Sequence, residues 1–212
     1  HPLPQGLQEL RIMNGHVLIP STLLQAPKLT TLKFSGDGMI FKNSICLPVS
    51  LETLYLSRSG KQCVNKIHQL INLVKLRFPG EVLEETKLLC LSSTLQSLSL
   101  NCRGVPIKTD LLPPALLHLE LLQFSQPLFP HMFPPTLTEL YLSSMNEAWL
   151  PNTFPPLLKK LQLREYTKPL KPAMFPPYLE DLDIRDFSGH LLEPGVLPIS
   201  LKTLKIGDGF VT

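Results

Sequence analysis

Apolar residues recur along this chain in one short phrase, Leu-x-x-Leu-x-Φ with Φ apolar, and it returns ten times without a missed beat. It begins at Leu7 (LQELRI), Leu29 (LTTLKF), Leu51 (LETLYL), Leu73 (LVKLRF) and Leu95 (LQSLSL), then at Leu116 (LLHLEL), Leu137 (LTELYL), Leu158 (LKKLQL), Leu179 (LEDLDI) and Leu201 (LKTLKI). The starts are 21 or 22 residues apart. With the first Leu as position 1, positions 4 and 6 lie two apart and share one face of a short strand, while position 1 packs beneath the chain's approach to it. One such coil cannot bury its apolar face alone. Stacked coils bury each other's, with strands about 4.8 Å apart in a continuous parallel sheet. A period of this length predicts a repeat solenoid.

Proline keeps the same beat. Pro4, Pro48, Pro113, Pro134, Pro155, Pro176 and Pro198 all stand three residues before position 1, several of them doubled. Proline is tolerated just before a strand, where it fixes an extended approach. The residue before each is apolar: Leu3, Leu47, Leu112, Phe133, Phe154, Phe175 and Leu197. The three phenylalanines are expected to stack inside, one ring per coil, and Trp149 to pack on the return side. Return segments 61–72 and 81–91 have helical spacing, with Val64, Ile67, His68 and Ile71 on one face of the first. From Leu112 onward the spacers favour 3₁₀ turns or extended chain.

The phrase resembles the leucine-rich-repeat family over nearly the whole chain. That implies an α/β horseshoe with a parallel sheet on the concave face and short helices, 3₁₀ turns or extended segments on the convex face. The usual asparagine or cysteine three residues past Φ is absent; Gly15, Asp37, Ser59, Glu81, Arg103, Phe124, Met145, Tyr166, Phe187 and Gly209 stand there. The chain is more similar to the FNIP repeat, which couples a Leu-Pro-x-Ser-Leu lead-in with a Phe-Asn-x-Pro-Φ return. LPVSLETLYL and LPISLKTLKI match the lead-in, and QFSQPL, EYTKPL and DFSGHL resemble the return. The likeness is good over the last two-thirds and poor around 61–95. It implies a recognition array, and some proteins with such repeats carry F-box or kinase domains.

Composition narrows the function. The chain has 212 residues, 43% hydrophobic and 17% charged, which excludes a disordered class. The net charge of +3 is too small to imply a nucleic-acid or membrane partner by itself. Charge is uneven: residues 1–111 hold 12 Lys/Arg and 7 Asp/Glu, residues 112–212 hold 8 and 10. No apolar run reaches the roughly 18–20 residues of a membrane span. Cys46 and Cys90 share a phase two coils apart, about 10 Å, beyond disulfide reach, and Cys63 and Cys102 fall at other phases. With no Asn-x-Ser/Thr sequon, this points to a reducing, intracellular, cytoplasmic setting.

Catalytic motifs are missing. Ser57–Lys61 (SRSGK) contains a Gly-Lys but lacks the earlier glycine and the following Ser/Thr of a phosphate loop, and there is no Gly-x-Ser-x-Gly, His-Glu-x-x-His or Gly-x-Gly-x-x-Gly. The six histidines fall in different phases, with His118 alone on the sheet face, so neither a metal site, a cofactor nor a small-molecule substrate is expected. Asp181 and Asp183, beside Lys160, Arg164, Arg185 and Lys205 in neighbouring coils, read as a charge ladder.

Function is expected on the outward strand positions 3, 5 and 7, whose identities vary while the core letters stay fixed. Tyr and Arg dominate interface hot spots. The leading contacts are therefore Tyr55, Arg77, Tyr141 and Arg164, with Lys75, Lys160, Asp183 and Arg185 around them. The expected function is a non-enzymatic protein-recognition scaffold. Alternatives are the substrate-reading arm of a larger complex such as an F-box ubiquitin ligase, and a binder of nucleic acid or an anionic surface through Lys33, Lys75 and Arg77. Residues 1–212 read as one domain of ten repeats. Neither terminal coil carries a polar cap, which suggests a fragment of a longer array or end-to-end association.

Overall fold

The computed structural model describes residues 3–13, 18–19, 26–35, 40–41, 47–56, 67–81, 91–103, 106–108, 112–187 and 192–207. Contacts gather the chain into two compact units, His1–Asn101 and Cys102–Thr212. The first holds β1 (Glu9–Met13), β2 (Leu18–Ile19), β3 (Thr31–Ser35), β4 (Ile40–Phe41), β5 (Thr53–Tyr55), β6 (Lys75–Glu81) and β7 (Ser97–Asn101). Strands β1, β3, β5, β6 and β7 pair in parallel in that order, and β2 pairs with β4 on its own. The second unit holds β8 (His118–Leu122), β9 (Glu139–Leu142), β10 (Lys160–Leu163), β11 (Asp181–Ile184) and β12 (Thr203–Ile206), again parallel and in chain order. The expected fold class, stacked leucine-rich-repeat coils around a parallel sheet, is observed in both.

Register follows the repeat phase without a slip through most of the sheet: Leu32 pairs with Leu54, Leu54 with Leu76, Leu119 with Leu140 and Leu140 with Leu161. A one-residue shift would turn the core leucines to the surface, so burial itself pins the register. Position 1 is fully buried at Leu29, Leu51, Leu73, Leu95, Leu116, Leu137, Leu158 and Leu179. Positions 4 and 6 are buried in the same coils. At the sheet's start one carbonyl accepts from two successive N–H groups of the next coil, as Glu52 O does from Val74 and Lys75, and Thr138 O from Lys159 and Lys160.

Three local devices hold the coil. The proline carbonyl three residues before position 1 accepts the N–H of that Leu, as in Leu51 to Pro48 and Leu158 to Pro155. The prolines thus head tight turns, where an extended approach was expected. Doubling sets the second ring at the turn's second position, where its fixed φ belongs. The hydroxyl preceding position 1 donates to the carbonyl of the previous coil's first Leu: Ser50 to Leu29, Thr94 to Leu73, Thr136 to Leu116 and Ser200 to Leu179, at 2.7–3.2 Å. This gives the Ser of the Leu-Pro-x-Ser-Leu lead-in its physical role.

The third device replaces the missing asparagine ladder. At that phase Phe124, Met145, Tyr166 and Phe187 are 0–1% exposed. The backbone N–H of Phe124 donates to Ser143 O and that of Met145 to Arg164 O in the next coil, so the backbone does what an asparagine side chain would. The residue before turns left-handed at Gln123, Ser144 and Glu165, with φ of 53°, 60° and 62°.

The return sides contain little helix among the described residues. The segment expected to be helical over 61–72 shows one 3₁₀ turn, Ile67–Gln69; Ile67 is buried but Ile71 is 67% exposed in a turn, so the helical face does not extend to it. Residues 61–66 and 82–90 of the two expected helices lie outside the described residues. In the second unit Trp149 is buried, with its ring 5.3 Å from Phe154, 4.6 Å from Tyr166 and 6.1 Å from Phe175, and its Nε1–H donates to Met174 O at 3.2 Å. Phe133, Phe154 and Phe175 are buried as expected, and Trp149 joins the latter two.

Candidate functional site

The strand periodicity that buries positions 4 and 6 turns positions 3, 5 and 7 outward, so each unit carries an open sheet face. In the first unit the position-5 residues Arg11, Lys33, Tyr55 and Arg77 stand side by side in register. Glu9 Oε1 accepts from Arg11 Nε at 2.7 Å and lies 3.3 Å from Lys33 Nζ. The Arg11 hydrogen bond, reinforced by Lys33, holds the Glu9 carboxyl below the usual carboxylate range against a smaller opposing effect of burial. Lys33 Nζ also sits 5.2 Å from the centre of the half-buried Tyr55 ring, a cation–π contact. Lys75 and Arg77 are exposed and form no ion pair among the described residues.

The second unit's face is paired internally. Lys160 Nζ lies 2.9 Å from Glu139 Oε1, and His118 Nδ1 lies 3.2 Å from Glu139 Oε2. Burial opposes ionisation of Glu139, but the Lys160 hydrogen bond and the flanking charges outweigh it and keep its carboxyl low. Asp183 is a hub. Arg185 donates through Nε to Oδ1 at 3.0 Å and through Nη2 to Oδ2 at 2.8 Å, while Arg164 Nη1 stands 3.7 Å and Lys205 Nζ 4.0 Å away. Burial raises the Asp183 pKa, but the Arg185 hydrogen bonds and the Arg164 and Arg185 charges lower it by more, so it stays below the ordinary carboxylate range. Gln162, its amide oxygen turned to Arg164, accepts from that guanidinium's Nη2 at 2.6 Å. Tyr141 is half-buried beside Gln162 in register.

All eight residues expected as contacts lie on these faces: Tyr55, Lys75 and Arg77 on the first unit's, Tyr141, Lys160, Arg164, Asp183 and Arg185 on the second's. Asp183 differs from expectation in accessibility. It is 4% exposed, with the Arg164 and Arg185 guanidinium groups beside its carboxylate. The expected charge ladder is present, extended by Glu139 and His118. Sequence reasoning missed Lys33 and Glu9 as a linked pair; the row of position-5 cations was the available signal.

Other chemistry is sparse. Among the described residues no three His, Cys, Asp or Glu side chains converge as a metal site. Cys102 is buried, which pushes its thiol up to about 12 and keeps it protonated and unreactive; the other cysteines lie outside the described residues, as does Ser57–Lys61. A hollow of about 380 Å³ in the second unit is lined by Phe133, Phe154, Phe175 and the proline turns beside them. No helix among the described residues is long and apolar enough to cross a membrane.

Comparison with known proteins agrees with this geometry. The FNIP Repeat family profile matches residues 105–144 and 146–187. No curated protein sequence matches the chain. Among solved structures, the chain is similar to CroV588, described as a novel circular LRR protein, with 24% identity and a TM-score of 0.74 over 99% of this chain and 32% of that one. It is also similar to a chain of the Drosophila Toll–Spatzle complex, with 16% identity and a TM-score of 0.64 over 94% of this chain and 30% of that one. At these identities the likeness is one of fold, and the chain spans about a third of the length of each structure.

Proposed function

We propose that this chain, a leucine-rich-repeat protein with FNIP-like repeats, is a protein-recognition scaffold that binds a polypeptide partner through its open sheet faces. The observation that carries this reading is the division of labour within each coil. In the eight coils from Leu29 to Ile184 positions 1, 4 and 6 are buried and nearly invariant in type, while positions 3, 5 and 7 display a varied set of Tyr, Arg, Lys, Glu, Asp, Ser and Thr on the sheet. Rigid elements lose little entropy on binding, which favours recognition by such a surface. The Toll–Spatzle structure is that of a complex, which agrees with a binding role for the fold. The F-box alternative has no observation in its favour.

The test starts with a partner captured by the full-length protein and identified by mass spectrometry. Replacing Tyr55, Arg77, Tyr141 and Arg164 together by Ala abolishes that partner's binding, measured with purified components. A variant that remains folded and binds as before overturns the reading.

A further inference from the structure

Among the described side chains of the first unit's sheet face negative charge is scarce, and the scarcity has a shape. Among its described side chains at positions 3, 5 and 7, Glu9 is the only carboxylate, facing Arg11, Lys33, Lys75 and Arg77. It is engaged by Arg11 and Lys33. Lys75 and Arg77 stand on adjacent outward positions of β6 with no ion pair among the described residues. The geometry points to a partner segment rich in Asp or Glu, lying in extended form across β1, β3, β5 and β6 with its carboxylates on this cationic row. This deepens the recognition reading and rests on it.

Dimensions support an extended occupant. The row Arg11–Lys33–Tyr55–Arg77 crosses three strand spacings, about 14 Å. Alternate residues of an extended chain point the same way about 7 Å apart, so three same-side residues span that length. Carboxylates at the two ends would meet Arg11 and Arg77, with a middle side chain over Lys33 and Tyr55. Lys75, in register with Thr53 one residue pair away, reaches the same track. Tyr55 supplies a flat apolar surface between cations, the kind of anchor that binding interfaces favour. A single-stranded nucleic acid would need several aromatic platforms along its track, and the described row has one ring.

The probe is a fluorescein-labelled decapeptide alternating Asp and Ser, titrated by anisotropy against the whole chain. Its Asn/Ser counterpart and a labelled deca-uridylate serve as comparisons. The acidic peptide binds, the Asn/Ser peptide does not, and affinity falls as salt rises from low ionic strength. Lys75→Gln with Arg77→Gln weakens binding about tenfold, and charge reversal at both (K75E/R77E) weakens it further. Lys159→Glu, an exposed cation off this face, leaves it unchanged. Thermal unfolding of each variant verifies that the fold persists. No binding of the acidic peptide, binding indifferent to residues 75 and 77, or tighter binding of the uridylate through the same residues each overturns the proposal. If the acidic peptide fails while the captured partner remains sensitive to Tyr55, Arg77, Tyr141 and Arg164, only the partner chemistry falls and recognition through the faces stands.

Discussion

The two units bury the same letters in the same phase and treat their outward charge in opposite ways. In the first, Glu9 serves Arg11 and Lys33 while Lys75 and Arg77 have no carboxylate among the described residues. In the second, Glu120, Glu139, Asp181 and Asp183 match Lys160, Arg164, Arg185 and Lys205 in number, and Asp183 lies buried under its cations. On one face the described cations outnumber the carboxylates; on the other the charges are largely paired with one another. A repeat scaffold tolerates both because positions 3, 5 and 7 make no demand on the core. Behind its sheet the second unit gathers Trp149, Phe154, Tyr166 and Phe175 into one aromatic cluster.

That cluster provides the largest expected break in the comparison. Trp149→Ala removes a fully packed ring and strands the Met174 carbonyl that it satisfies. Large aromatic truncations in cores cost about 3–5 kcal/mol. Because repeat stability is a sum of local terms, protection from hydrogen exchange is lost across Cys102–Thr212 far more than across His1–Asn101. Equal loss in both units would show that the aromatic cluster is no private feature of the second.

How legible all this was depends on what each feature needs. The coil, its period and the buried positions 1, 4 and 6 were readable because a repeat states the same constraint ten times. The absence of an asparagine ladder was readable too; its replacement was not. Gln123, Ser144 and Glu165 turn left-handed without glycine, and no residue type announces that the N–H groups of Phe124 and Met145, after the first two, reach the next coil. Tyr55, Arg77, Tyr141 and Arg164 were placed on the outward faces from period two alone. The burial of Asp183 escaped, because it arises from guanidiniums of two coils folding over one carboxylate, a matter of side-chain packing between repeats. The spacing places Ile71 on a helical face, which a 3₁₀ turn ending at Gln69 and a separate turn at Ile71 do not maintain.

Asp183 gives the next effect in size. Asp183→Ala leaves Arg164, Arg185 and Lys205 facing one another without their shared carboxylate, and hydrogen bonds to charged groups are worth about 1.5–3 kcal/mol. Its pKa is lowered in the folded state, so the stabilisation is present above the unfolded carboxyl's pKa and disappears as pH falls through the folded one. Denaturant midpoints measured from neutral pH downward therefore fall more steeply below about pH 4 for the native chain than for Asp183→Asn. Parallel curves would remove Asp183 as the hub of the second unit's face.

The lead-in hydroxyls mark a place where the units should agree. Ser50 in the first and Thr136 in the second each bond to a carbonyl of the preceding coil, at 2.7 and 2.8 Å. Ser50→Ala and Thr136→Val each cost about 0.5–1.5 kcal/mol in chemical denaturation. A large disparity would mean that the hydroxyl ladder, like the charge, has diverged between units.

The smallest expected effect bears most directly on the comparison. Lys75 and Arg77 project from β6 without an ion pair among the described residues, so neutralising both as Gln changes stability by no more than about 0.5 kcal/mol. Arg164→Gln, by contrast, removes a cation 3.7 Å from a carboxylate that is 4% exposed, and it destabilises measurably. Arg77 and Arg164 sit at outward positions 5 and 7 of two different repeats and look alike in sequence. If one can be removed at no cost while the other cannot, the first unit's cations are kept for some purpose other than folding. If Lys75→Gln with Arg77→Gln destabilises as much as Arg164→Gln, both faces are structural and the contrast between them dissolves. Thermal melts of the two variants beside the native chain decide between these outcomes.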